Sequence, residues 1–135
     1  MEQYLIDNNV ISDFFAGQYS NKAMNFVSEV IDLTPNISVI TVIEALSWHS
    51  SEVNESIIKE FIDNSHVLGI SQKVVERCVQ IRRSKKIKTP DAIIAATAII
   101  HCLTLITSDS DFTNIPGLML INPRSDKEIP ERVES

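Results

Sequence analysis

The stretch LITSDSDF, residues 105–112, passes without a break from a short apolar run into two aspartates that flank a serine. Leu103, Leu105 and Ile106 have the character of a buried strand that meets solvent at Thr107. Asp109 and Asp111 therefore stand where a strand ends, and each carboxylate there must find a partner or stay in water. Their meaning depends on what other segments bring to the same edge.

Outward from this stretch, short apolar segments alternate with helical patterns. QYLI, residues 3–6, is expected as a strand, and NNVISDFFAG after it as a brief helix closed by Gly17. Ser20 caps a second helix with Ala23, Phe26, Val27, Val30 and Ile31 on one face, ended by Pro35. ISVI, residues 37–40, is expected as a strand, with a helix from Thr41 to about Trp48. Residues 54–64 are expected as a helix by the spacing of Ile57, Ile58, Phe61 and Ile62, followed by a strand HVLGI at 66–70. Ser71 caps a helix expected to turn Val74, Val75, Cys78, Val79 and Ile81 inward. Thr89, Pro90 and Asp91 open the helix DAIIAATAIIHC, with proline in the first turn, where its missing N–H does least harm. LTLIT and LMLI complete five strands. Such alternation implies a parallel sheet covered on both faces, an α/β sandwich.

The 135 residues suffice for one domain with a substantial core. A 44% apolar and 22% charged composition excludes a disordered chain or a disulfide scaffold. Cys78 and Cys102 both fall within apolar helical patterns and are expected as buried thiols of a reducing compartment. The start, MEQYLIDNN, lacks a signal-peptide pattern, and no apolar run reaches the roughly 18 residues of a membrane span, so a cytoplasmic protein is expected. Only RSDKEIPERVES, residues 124–135, loses periodicity, and it is expected as a mobile or partner-contacting tail after a domain at 1–123.

In an open parallel sheet the carboxyl ends of the strands share one rim, onto which helix N-termini also point. Asp7 follows the first strand, Glu44 lies one turn into the helix after the second, Asp91 opens its helix, and Asp109 leaves the fourth strand. Each has an ordinary structural use. Asp7 can cap a helix, Thr41 with Glu44 fits a capping box, Asp91 complements a helix dipole, and Asp109 and Asp111 suit a turn. Caps need not share an edge, whereas a metal site must. Two carboxylates about 4 Å apart repel by roughly 4 kcal/mol at an effective dielectric near 20, so convergence calls for a cation. Oxygen ligands without cysteine or an evident histidine favour Mg²⁺ or Mn²⁺ over zinc. His49, His66 and His101 are expected as ordinary histidines. A divalent ion held this way suits phosphodiester hydrolysis.

The net charge of −6 excludes a surface that grips nucleic acid over its whole extent. Positive charge is instead concentrated, with six of the twelve Lys and Arg at Arg77, Arg82, Arg83, Lys85, Lys86 and Lys88.

The blocks IDNNVI, SVITVIEAL, KTPDAIIAATAI and LITSDSDF, in that order and closed by LMLINP, resemble the PIN-domain nucleases, especially the VapC-type toxins of prokaryotic toxin–antitoxin pairs. The resemblance runs from about residue 3 to Pro123, and its third block is the most specific. It implies a three-layer α/β/α sandwich around a central, mainly parallel five-stranded sheet. It also implies an acidic quartet, Asp7, Glu44, Asp91 and Asp109, binding Mg²⁺ or Mn²⁺. Asn9 and Thr107 match residues that order the pocket, and Asp111 matches an outer acid or a substitute ligand. Asn8 stands where the family usually has Thr or Ser. The implied activity is metal-dependent endoribonuclease cleavage of tRNA or rRNA by a homodimer held inactive by a cognate antitoxin. Since RRSKKIK immediately precedes Asp91, Arg82, Arg83, Lys85, Lys86 and Lys88 are expected to contact RNA backbone at the cleft mouth. Trp48 is expected in an interface or in the core. Two alternatives are a PIN ribonuclease of RNA processing and a receiver-like phosphoacceptor, though the latter wants paired acids after the first strand and a lysine after the last.

Overall fold

A computed structural model describes residues 3–47 and 55–131. Among these, five strands alternate with six α-helices, the strands being β1 (Tyr4–Ile6), β2 (Asn36–Ser38), β3 (His66–Leu68), β4 (Thr104–Ile106) and β5 (Met119–Ile121). They form one sheet in the order β3-β2-β1-β4-β5, with every pairing parallel. The helices are α1 (Asn8–Phe15), α2 (Asn21–Asp32), α3 (Val39–Ser47), α4 (Glu55–Asp63), α5 (Gln72–Ser84) and α6 (Thr89–Ile100).

Successive strand residues point to opposite faces, and the two cores follow that alternation. Tyr4 and Ile6 of β1, with Ile106 of β4, pack against Val10 and Ile11 of α1 and Phe26, Val27 and Val30 of α2. Leu5 and Leu105, which pair in register, face the other way onto α5 and α6. Buried Ala92, Ala95, Ala96 and Ala98 let α6 approach its neighbours closely, α5 above all and β4 as well. The result is the expected three-layer α/β/α sandwich, with a sheet that is wholly rather than mainly parallel. Since the register sets β1 and β4 side by side, Asp7 and Thr107 leave their strands together.

Local starts and stops explain the departures from expectation. The second strand ends at Ser38, not residue 40, because the Ser38 hydroxyl accepts the Ile40 N–H at 3.1 Å and starts α3 two residues before Thr41. The capping-box reading of Thr41 and Glu44 therefore fails: Thr41 lies within the helix, its buried hydroxyl without a hydrogen-bond partner. The third strand stops at Leu68 rather than residue 70. Val75 and Val79, expected inward, are exposed, since α5 buries Val74, Cys78 and Ile81. Cys102 is exposed as well, in the left-handed turn (φ 56°) that follows α6 rather than inside the helix. Gly17, at φ 70°, closes α1 where a side chain would be strained.

Beyond Pro123 the chain stays on the body. Ile129 joins the core on the α1–α2 face, and the Ser20 hydroxyl donates to Asp126 Oδ1 at 2.8 Å. Through Glu131 the tail is thus packed and not free, while residues 132–135 lie outside the described residues, as do Trp48 and His49.

Candidate active site

The site grows from the end of β1. Asp7 is buried, and it caps α1 by accepting the Asn8 N–H on Oδ1 at 2.8 Å. Its Oδ2 accepts from Asn9 Nδ2 at 3.0 Å and from Thr107 Oγ1 at 2.8 Å. Asn9 fastens the neighbouring loop too, donating to Thr107 Oγ1 at 3.1 Å and accepting the Ser108 N–H on Oδ1 at 3.1 Å. The Thr107 hydroxyl also accepts the Asp109 N–H at 3.1 Å. Asn9 and Thr107 thus join the end of β1 to the loop after β4. The cap at Asn8 is made by its backbone and the Asp7 carboxylate, so this contact does not need the usual hydroxyl side chain.

After β4 the chain folds into one 3-10 turn, Ser110–Phe112, with Asp109 as its cap: Asp109 Oδ1 accepts the Asp111 N–H at 2.9 Å. Phe112 is fully buried and anchors the turn in the core beneath α6. Asp91 stands in the first turn of α6, placed there by Pro90. Asp91, Asp109 and Asp111 each offer a carboxylate oxygen, and these three atoms lie within 4.8 Å of one another. Asp111, expected as an outer acid or a substitute ligand, therefore belongs to the group whose carboxylate oxygens come together. Asp7 and Glu44 lie outside that grouping, though close enough to feel it. The D-x-D spacing after β4 was the available signal, since an aspartate that caps a turn accepts the N–H of the residue two places on and so holds the two acids together.

The electrostatics tie all five acids to one space. Burial pushes the Asp7 carboxyl above the usual range, against the lowering effect of its Thr107 and Asn8 hydrogen bonds, and the Asp109 charge raises it further. Burial raises Asp91 as well, followed by the charges of Asp109, Asp7 and Asp111, with Lys88 opposing. Glu44, half-buried on α3, is raised by burial and then by Asp7 and Asp91. Like charges held this way are relieved by protonation or by a cation.

A hard divalent ion fits the donor set, which is all oxygen. Oxygens that share an octahedral Mg²⁺ at about 2.1 Å lie roughly 3–4 Å apart, so the three carboxylates need contract only slightly. Mn²⁺ would suit the same ligands.

The basic run divides. Lys88 adjoins Asp91 closely enough to affect its ionisation. The Lys85 ammonium donates to the Thr113 carbonyl, tying the end of α5 to the residue after the acidic turn. Arg82 Nε donates to the Ile87 carbonyl at 3.3 Å, while Arg83 and Lys86 are exposed. His66 and His101 are exposed on β3 and after α6.

A wholly parallel sheet between helical layers, with carboxylates gathered at the carboxyl ends of its strands, defines an α/β/α protein built around an acidic centre suited to a divalent ion. Residues 4–118 match the PIN domain. The chain belongs to the PIN domain family, whose members are nucleases, and this sets aside the receiver-like alternative. Comparison with curated proteins gives no match. Among solved structures, a toxin–antitoxin complex from Klebsiella pneumoniae contains a chain 33% identical, with a TM-score of 0.70, covering 90% of this chain and 98% of that one. FitAcB from Neisseria gonorrhoeae is 25% identical with a TM-score of 0.72, over 90% of this chain and 98% of that one. VapBC2 from Rickettsia felis, bound to a promoter DNA fragment, shares the fold at 23% identity and a TM-score of 0.69, over 87% of this chain and 96% of that one. In family the chain is thus a PIN domain, and in fold it is similar to chains of toxin–antitoxin complexes. No helix among the described residues is long and apolar enough to cross a membrane.

Proposed function

We propose that this protein is the toxin of a VapBC-type toxin–antitoxin pair, a cytoplasmic Mg²⁺- or Mn²⁺-dependent endoribonuclease that cuts tRNA or rRNA and so inhibits translation. The observation that carries the reading is the set of carboxylate oxygens from Asp91, Asp109 and Asp111 within 4.8 Å, beside the buried Asp7. The kinship with chains from toxin–antitoxin complexes supports the toxin role and a cognate antitoxin as partner. A homodimer is part of the same reading, with residues 1–123 as the catalytic domain.

Asp91 and Asp109 would hold the ion, with Asp7 and Asp111 completing or steadying the set. When bound, such an ion supplies charge neutralisation at a scissile phosphate and a water more easily deprotonated. Glu44, facing the same acids from α3, orients the attacking water and receives its proton. Asn9 and Thr107 keep the Asp7 carboxylate from turning away. Arg83, Lys86 and Lys88 meet the RNA backbone, with Lys88 also balancing the acidic charge, while Arg82 and Lys85 brace the basic turn.

Inducible expression tests the reading. The wild type should arrest growth and leave discrete new RNA ends, both relieved by coexpressing a cognate antitoxin. Asp7→Asn, Asp91→Asn and Asp109→Asn should do neither. Equal toxicity with the same RNA ends in the variants would contradict an acid-dependent cleavage.

A further inference from the structure

The three carboxylates that come together arrive on two separate segments. Asp91 is carried by the start of α6, just after the link from α5, and Asp109 and Asp111 by the 3-10 turn after β4. Their charges oppose one another, so the two segments need something that holds them together. Phe112 does part of this from within the core, under α6. At the surface, Lys85 crosses from one segment to the other.

Lys85 is the C-cap of α5, and its N–H donates to the Ile81 carbonyl at 3.0 Å. The short link from Lys85 into α6 is fixed in turn, because Arg82 Nε donates to the Ile87 carbonyl at 3.3 Å and Ile87 is buried. The Lys85 backbone thus belongs to the support on which Asp91 stands. Its ammonium donates to the Thr113 carbonyl. Thr113 closes the acidic turn, since its N–H and its hydroxyl both donate to the Ser110 carbonyl, at 3.1 and 2.7 Å. Only at Asn114, at φ 62°, does the backbone turn away. A bond to the Thr113 carbonyl therefore holds the turn itself. Among the described residues Lys85 forms no ion pair with an acid, and Lys88 is the cation whose charge acts on Asp91.

We propose that Lys85 is a positioning residue for the acidic centre: its bond to the Thr113 carbonyl clamps the turn that carries Asp109 and Asp111 to the helix start that carries Asp91, and so sets the spacing of the three carboxylates. The inference rests on the metal-centre reading above, and it separates Lys85 from the cations assigned to RNA. It also has a sign that charge alone does not give. Removing a cation from beside an acidic cluster leaves divalent-ion binding unchanged or tightens it, whereas removing a clamp weakens it.

Mn²⁺ alone is the probe, titrated into purified full-length protein and followed by the loss of the free-ion electron paramagnetic resonance signal. Lys85→Met keeps the aliphatic stem and removes the ammonium, while Lys85→Arg keeps a cationic donor. Lys85→Met should weaken Mn²⁺ binding about tenfold, the lower end of what losing a supporting partner of a metal site does, and Lys85→Arg should recover most of that loss. A single-stranded oligoribonucleotide, bound without divalent ion, should keep its wild-type salt slope in Lys85→Met. Wild-type or tighter Mn²⁺ binding in Lys85→Met, no recovery in Lys85→Arg, or a slope flattened by about 0.7, as for a lost phosphate contact, would overturn the inference while leaving the metal centre intact. A wild-type protein that binds no Mn²⁺ would overturn the functional reading and this inference together.

Discussion

The Thr107 hydroxyl donates to Asp7 Oδ2 at 2.8 Å, joining residues 100 positions apart in the chain. Parallel pairing of β1 with β4 makes this contact possible, because Ile6 and Ile106 are partners in register and the next residue of each strand emerges at the same rim. One hydrogen bond thus links the sheet's geometry to the acidic centre.

Replacing Thr107 by Val keeps the shape and removes the donor. The Asp7 carboxylate then loses a charge-assisted bond in a buried place, which costs about 1–3 kcal/mol. Denaturant unfolding should show that loss. Divalent-ion affinity should also fall by roughly 10–100-fold, as with other outer partners of metal sites.

The ionisation of Asp91 gives a pH signature. Its carboxyl is raised in the fold by burial and by Asp109, Asp7 and Asp111, so the metal-free native state binds the proton more tightly than the unfolded chain does. For a group raised in this direction, stability is fully present below the unfolded value and is lost as pH rises through the folded one. Asp7 and Glu44 act with the same sign. Asp91→Asn should therefore raise the melting temperature of the metal-free protein at pH 7 by a few degrees, and the gain should vanish at about pH 4, near the unperturbed carboxylate range. Calorimetry in the presence of a chelator measures both; an equal gain at the two pH values would refute the charge explanation.

Phe112 holds the acidic turn from below. Phe112→Ala removes a fully buried ring and should destabilise the protein by about 3–5 kcal/mol. Phe112→Leu should cost less in stability yet still weaken ion binding, because the turn carrying Asp111 loses its anchor. Chemical denaturation paired with an ion titration separates the two effects.

The legibility of these features from sequence followed the range of the forces involved. Alternating apolar strands and amphipathic helices are local patterns, so the layers, the strand count and the caps at Ser20 and Ser71 could be read directly. The start of α3 could not, since Ser38 and Thr41 both offer hydroxyls and only the pairing of β2 with β1 and β3 decides which one caps. Cys102 resembled a core thiol because nothing nearby in sequence announced the left-handed turn that exposes it. Asp7, Asp91 and Asp109 could be named from the rule that strand ends share a rim. The closer role of Asp111 required the 3-10 turn.

If the exposed cations after α5 meet RNA, their removal should change the salt dependence of binding. Arg83→Gln with Lys86→Gln leaves the structural hydrogen bonds of Arg82 and Lys85 untouched. For single-stranded RNA the slope of log K against log salt should flatten by about 0.7 for each phosphate that these side chains no longer neutralise. An unchanged slope would remove these two residues from the RNA surface.

Anomalous diffraction from crystals grown with Mn²⁺ tests most directly whether these acids share an ion. The account predicts a peak among the carboxylates of Asp91, Asp109 and Asp111, on the side facing Asp7, with Mn²⁺–oxygen distances of about 2.2 Å. A peak elsewhere, or a cluster with no ion at saturating Mn²⁺, would contradict it.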